Sequence, residues 1–112
     1  MSVRRNRFKK ADFNNLFKKG KTIGAKLVFL KLQRNNLKQT RFCWVVNLKI
    51  SKKATIRNKI KRRFKEIIRE NLKNIKPGFD IAIIAKPEII NKNYQETKNA
   101  LEGLLQKTKI YK

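Results

Sequence analysis

Residues 56–73 leave little choice of structure. Ile56, Ile60, Phe64, Ile67 and Ile68 recur at i, i+4, i+8, i+11 and i+12. That is the spacing of a single apolar stripe when successive residues advance about 100°. Asn58, Lys61, Arg62, Lys65, Arg69 and Lys73 fall on the opposite side, with Arg57, Lys59 and Arg63 on its flanks. The pattern predicts a helix over roughly 55–74 that packs one side into a core and turns a row of cations outward. Such a row repels itself unless something polyanionic neutralises it. Nucleic acid is therefore the first candidate partner.

The remainder of the chain supports this. Its 112 residues suit one domain, 1–112, with one core. Hydrophobic content of 40%, with seven Phe and one Trp, is enough to fold rather than remain a disordered basic tail. The formal charge of +24 comes from 31 Lys and Arg against seven acids, and residues 1–65 carry a single acid, Asp12. An excess this lopsided points to a surface built for a partner: RNA, DNA or an anionic membrane. The membrane is disfavoured, because no run approaches the ~20 apolar residues of a span. The charged N-terminus also lacks the apolar stretch that follows in a secretory signal. With Cys43 as the one cysteine, no internal disulfide can form, and a reducing, cytoplasmic location is the default expectation.

The chemistry the chain lacks is equally informative. Without histidine and with one cysteine, it cannot supply the ligands of a zinc site. Nucleophilic systems built on a histidine base are excluded for the same reason. Metal-dependent nucleases gather several carboxylates around paired cations. Here Asp12, Glu66, Glu70, Asp80, Glu88, Glu96 and Glu102 are scattered, and Glu66 and Glu70, four apart, read as helix-surface pairing partners. No catalytic residue and no protein metal ligand is assigned; Asp80, at a strand start, is expected to make a local hydrogen bond.

Along the chain, residues 1–10 read as an irregular basic arm containing Arg4, Arg5 and Arg7. Residues 12–19 read as a short helix with Asp12 at its N-cap, Gly20 past its end, and Phe13, Leu16 and Phe17 on one face. Two strands are expected at 25–34 and 41–49, separated by a polar hairpin-like loop. The first places Leu27 and Phe29 on one face and Val28, Leu30 and Leu32 on the other; the second aligns Phe42, Trp44, Val46 and Leu48. After Pro77-Gly78, the apolar run 79–85 reads as a central strand covered on both faces. Asn93 and Glu96 form a capping box for a helix over about 94–107, whose stripe is Leu101, Leu104 and Leu105. The order is αββαβα, with room for an extra short strand, and the class is α+β. Trp44, Ile81, Ile83 and Leu101 belong to the expected core.

Lys49, then Lys52-Lys53-Ala54, followed by Arg57-Asn58-Lys59-Ile60-Lys61-Arg62, resembles the signature of the bacterial ribonuclease P protein component, an Arg-Asn-Arg motif followed by Ile-Lys-Arg. Asp12-Phe13 with Phe17 and Gly20 resembles the family's opening helix. The run from Gly78-Phe79-Asp80-Ile81 to Lys86-Pro87 resembles its strand before the last helix. The match spans roughly 4–106. Two departures stand out: Lys59 replaces the second Arg, keeping charge but losing bidentate geometry, and Leu48 stands where many members carry a cation.

The resemblance implies an α-β sandwich like the second domain of ribosomal protein S5, with a four-stranded sheet and a left-handed β-α-β crossover, although right-handed crossovers are the rule. It implies a subunit of a ribozyme that removes the 5′ leader of precursor tRNA, in which the RNA subunit performs the hydrolysis with bound Mg²⁺. Two surfaces follow. Lys49, Lys52, Lys53, Arg57, Asn58, Lys59, Lys61, Arg62, Lys65 and Arg69 would face the catalytic RNA. A solvated helix face is the alternative, disfavoured by the scarcity of nearby acids. Phe13, Phe17, Leu30 and Lys31 would line a cleft for the single-stranded leader, the Phe rings offering stacking platforms. Phe pairs four apart usually belong to a core, and for Phe13 or Phe17 taken singly both readings stand. A ribosomal or general RNA-chaperone protein is the alternative function.

Overall fold

The computed structural model describes residues 10–112. The chain runs α1 (Lys10–Lys19), β1 (Lys21–Gly24), β2 (Val28–Arg34), β3 (Arg41–Val45), α2 (Ala54–Asn71), β4 (Phe79–Ala85) and α3 (Tyr94–Gln106), with 3₁₀ turns at Leu72–Asn74 and Pro87–Ile89. The apolar run at β4 forms the centre of a mixed four-stranded sheet of order β1-β2-β4-β3. β2 pairs with β4 antiparallel, from Val28 opposite Ala85 to Arg34 opposite Phe79. β3 pairs with β4 in parallel, from Arg41 beside Asp80 to Val45 beside Ile84. A parallel pair needs a long crossover, and α2 is that crossover.

Strand alternation divides the interior in two. On one face Val28, Leu30, Leu32, Phe42, Ile81 and Ile83 pack with Ile60, Phe64, Ile67 and Ile68 of α2 and with Leu101, Leu104 and Leu105 of α3. On the other face Leu16 of α1 is buried with Ala82 and Ile84, and Phe17, Phe29, Cys43 and Val45 pack against them half-buried. The predicted stripe of α2 thus lies in the core, with Ile56 half-buried at its start. Trp44 is half-buried against the same core, its ring stacked on Phe42 with centroids 5.7 Å apart. The capping box at α3 is complete: Asn93 accepts from the Glu96 backbone N–H, and the Glu96 carboxylate accepts from that of Asn93.

Several expectations are corrected. Helix α1 begins at Lys10, so Asp12 lies in its first turn rather than at the cap. The rest of the proposed arm, with Arg4, Arg5 and Arg7, lies outside the described residues. The anticipated 25–34 strand starts at Val28, and the additional short strand is β1. Strand β3 stops at Val45. Beyond it, the Asn47 side chain accepts a hydrogen bond from the Lys49 N–H (3.0 Å), and Ile50 N–H donates to the Asn47 carbonyl (3.0 Å). This side-chain-to-backbone turn offers the chain an alternative to the ladder, and it leaves Leu48 65% exposed. Helix α2 ends at Asn71 and tightens into its 3₁₀ turn.

Two glycines are required by geometry. A Cβ on Gly20 would lie 2.5 Å from the Leu16 carbonyl oxygen, which Gly20 N–H bonds to close α1. Gly78 turns into β4 with φ +93°, a conformation unfavourable for side-chain-bearing residues.

Candidate nucleic-acid interface

The loop before α2 holds its shape through short-range bonds. Ile50 is buried and anchors it, the Ser51 hydroxyl accepts from the Lys53 N–H (3.1 Å), and the Arg57 guanidinium donates to the Ser51 carbonyl (2.8 Å). Lys49, Lys52 and Lys53 are thereby left exposed on a fixed turn. Arg57 fastens this loop to the helix, a role its sequence position did not reveal. No side chain caps α2, and its first turn holds no acid. The free N–H groups of that turn therefore add positive potential to the lysines around them. Asn58 is exposed and bonds no other described residue.

Further along α2, Lys59, Arg62 and Arg69 are exposed, while Lys61 and Lys65 are half-buried along their stems. Arg63 is turned away, donating to the Lys92 carbonyl (2.8 Å). Among the described residues, Arg69 is the one α2 cation in an ion pair, with Glu66. The rest of the row has no ion-pair partner among the described residues. Glu70 is engaged elsewhere: it accepts from the Tyr94 hydroxyl (2.7 Å) and lies 3.6 Å from Lys98, joining α2 to α3.

The second surface lies where α1 crosses the sheet. The Phe13 and Phe17 rings are half-buried, with centroids 4.4 Å apart at 42°. Lys31 donates to the Phe17 carbonyl (3.2 Å) and sits 5.6 Å from the Phe17 ring. Leu30 does not belong here. It points to the opposite face and is fully buried against α2 and α3. Strand alternation gives its neighbour Phe29 the place instead, beside Cys43 and Val45. Burial pushes the Cys43 thiol up, and the charge of Lys61 opposes that shift.

A clamp the sequence did not predict holds α1 in place. Arg41 donates to both oxygens of Asp80, at 2.8 and 2.7 Å, and to Asp12 at 3.2 Å. Asp80 also accepts from the Asn35 side chain at 2.9 Å. Its bonds are therefore long-range rather than local, and both carboxylates face a guanidinium. Among the described residues, no three His, Cys, Asp or Glu side chains converge as a metal site would require.

These features define a class: a small α+β domain that offers a polyanion an unneutralised helix face beside a half-covered aromatic strip. Residues 3–109 match the sequence model of the family described as Ribonuclease P, and the chain belongs to that family. A ribonuclease P protein component of Alkaliphilus metalliredigens is 34% identical over 102 residues, covering 91% of each chain. One from Clostridium botulinum is 36% identical over 104 residues, covering 92% of this chain and 93% of its own. The solved RNase P protein of Thermotoga maritima superposes with a TM-score of 0.86 at 31% identity, over 94% of this chain and 99% of that one. That of Staphylococcus aureus gives 0.86 at 27% identity, over 94% and 95%. No helix among the described residues is long and apolar enough to cross a membrane.

Proposed function

We propose that this protein is the non-catalytic subunit of a ribonuclease P that assists endonucleolytic 5′ maturation of tRNA. It binds the catalytic RNA through α2 and its preceding loop, and the 5′ leader of precursor tRNA along the α1 side of the sheet. The observation that carries the reading is the row Lys59, Lys61, Arg62 and Lys65, packed on a rigid helix with no acid in ion-pair range among the described residues. On assembly, phosphates replace condensed counterions around these cations, so affinity falls steeply as salt rises. A rigid helix holds the charges at fixed spacing and lowers the ordering cost of binding.

The leader is single-stranded, so its bases are free to stack on Phe13 and Phe17 while Lys31 meets the backbone. Placing both surfaces on one sheet fixes leader and catalytic RNA relative to each other, which is a positioning contribution to the reaction. The hydrolytic step is assigned to the RNA with Mg²⁺. Among the described residues no three acidic side chains converge on a site for that ion, and Asp12 and Asp80 are engaged by Arg41. The cytoplasm is the proposed location, in keeping with a single cysteine.

The test uses labelled precursor tRNA with protein alone, catalytic RNA alone, and both, at low Mg²⁺. Protein alone should be inert, and its addition should stimulate the RNA. Cleavage by the purified protein alone, or indifference of the RNA to its presence, would overturn the proposal. A general RNA chaperone would bind both RNAs without restoring site-specific cleavage.

A further inference from the structure

A second cationic site lies at the far end of the sheet from the α2 N-terminus. The start of β1, the end of β2, the start of β4 and the turn after α3 enclose a cavity of about 810 Å³. Lys19, Lys21, Arg34, Lys76, Lys107 and Lys109 surround it, and no acidic side chain lines it. None of these six cations forms an ion pair among the described residues. The floor is apolar, formed by Leu32, Phe79 and Ile110. Arg34 is held by its ring contact, its guanidinium carbon 5.5 Å from the Phe79 centroid. The contact leaves its N–H groups available to a phosphate.

Cations around an apolar, aromatic floor suit an occupant that carries negative charge and flat faces together. A bare anion has no use for the floor, and an apolar ligand has none for the rim. We propose that this cavity binds a short single-stranded segment of RNA, with phosphates at the rim and a base over Arg34 and Phe79. The volume falls in the range of sites for sizeable ligands. The cavity lies at the start of β4, whereas β3 leads into the loop before α2 from beside Ile84, near the other end of that strand. Its floor belongs to the α2–α3 face of the sheet, and Phe17 packs on the opposite face. The inference rests on the reading that the partner is RNA, but it requires contact at a second place.

The test measures binding of a labelled hexauridylate to the full chain across a salt series, in three variants alongside the unmodified protein. Arg34→Ala/Lys76→Ala should weaken binding about tenfold and flatten the salt slope by about 1.4, at 0.7 per lost contact on a single strand. The charge-matched Lys26→Ala/Lys92→Ala should change affinity less than about twofold, with the same flattening absent. Arg62→Ala reports on the helix face: if it alone weakens binding, the cavity proposal fails while the proposed function stands. Equal losses in both double variants would show diffuse charge attraction and also overturn it. Competition by AMP or pyrophosphate at the concentrations that displace the hexamer would mark a small-anion site and refute the RNA segment. In the assembled complex, catalytic RNA carrying 4-thiouridine should photocross-link to the peptide containing Phe79. Adducts confined to α2 and its loop would count against the cavity.

Discussion

Arg41 and Asp80, 39 positions apart in the sequence, form a two-pronged ion pair at 2.8 and 2.7 Å across the parallel β3–β4 ladder. The Asp80 side chain is only 4% exposed, and Arg41 also donates from Nη1 to Asp12 on α1. The hydrogen bond to Asp80 raises the proton affinity of the guanidinium, while burial opposes it, so the charge persists throughout the working pH range. One side chain thus ties the central strand to the helix that carries Phe13 and Phe17.

Arg41→Met should destabilise the fold by about 3–5 kcal/mol in urea denaturation, because it leaves Asp80 buried without its counter-charge. Arg41→Met/Asp80→Leu should recover much of that loss, since removing both partners removes the stranded charge. A loss below about 1 kcal/mol in the single variant would place the pair with ordinary surface bridges.

Arg62 is exposed and makes no hydrogen bond or ion pair with another described residue. Arg62→Ala should leave the melting temperature unchanged and reduce the salt slope of catalytic-RNA binding by about one. A titration at several salt concentrations measures this, and an unchanged slope would remove Arg62 from the interface.

Phe17 and Leu30 now lie on opposite faces of the sheet, and their variants should separate. Phe17→Ala should weaken leader-bearing substrate more than mature tRNA. Leu30→Ala should cost about 2–5 kcal/mol of stability through the cavity it leaves, with no preference between the two RNAs once folded. Equal weakening of both RNAs by Phe17→Ala would speak against leader contact along α1.

Tyr94 offers a test by pH. Burial, reinforced by its hydrogen bond to Glu70, pushes its phenol up to about 12, against an ordinary value near ~10. The folded state therefore holds the proton more tightly. The corresponding stability is fully present below ~10 and is lost as pH rises through the folded value of about 12. The same bond, as its largest cause, holds the Glu70 carboxyl below its usual range, so that contribution is present above the ordinary carboxylate range and fades as pH falls through the folded value. The difference in phenolate absorbance between the unmodified chain and Tyr94→Phe should titrate near 12. A midpoint at the ordinary value would show that the α2–α3 link does not form in solution.

The legible parts of the molecule are those whose cause lies in neighbouring residues. The two faces of α2, the apolar run of β4 and the Asn93–Glu96 box are each set by a spacing that the helix or strand repeats locally. The polybasic site was readable for the same reason, because its residues share a single helix and the loop beside it. Leu30 was misassigned because the family likeness put it in the cleft with its neighbour Lys31, although alternation sends adjacent strand residues to opposite faces. The wholly apolar set, Val28, Leu30 and Leu32, went to the core, and Phe29 and Lys31 met α1. The end of β3 was missed because the apolar alternation through Val46 and Leu48 continues past the point where Asn47 folds the chain into a turn.

Local periodicity and charge were enough to specify a mixed α+β chain with one amphipathic, polybasic helix, since nearest-neighbour geometry alone sorts those side chains. Packing decided the rest. The meeting of Asp12, Arg41 and Asp80, the reassignment of Leu30 to the core, and the cationic cavity assembled from four distant segments all depend on which surfaces exclude water together. That choice is made by the whole sheet and its covering helices, and no short stretch of sequence contains it.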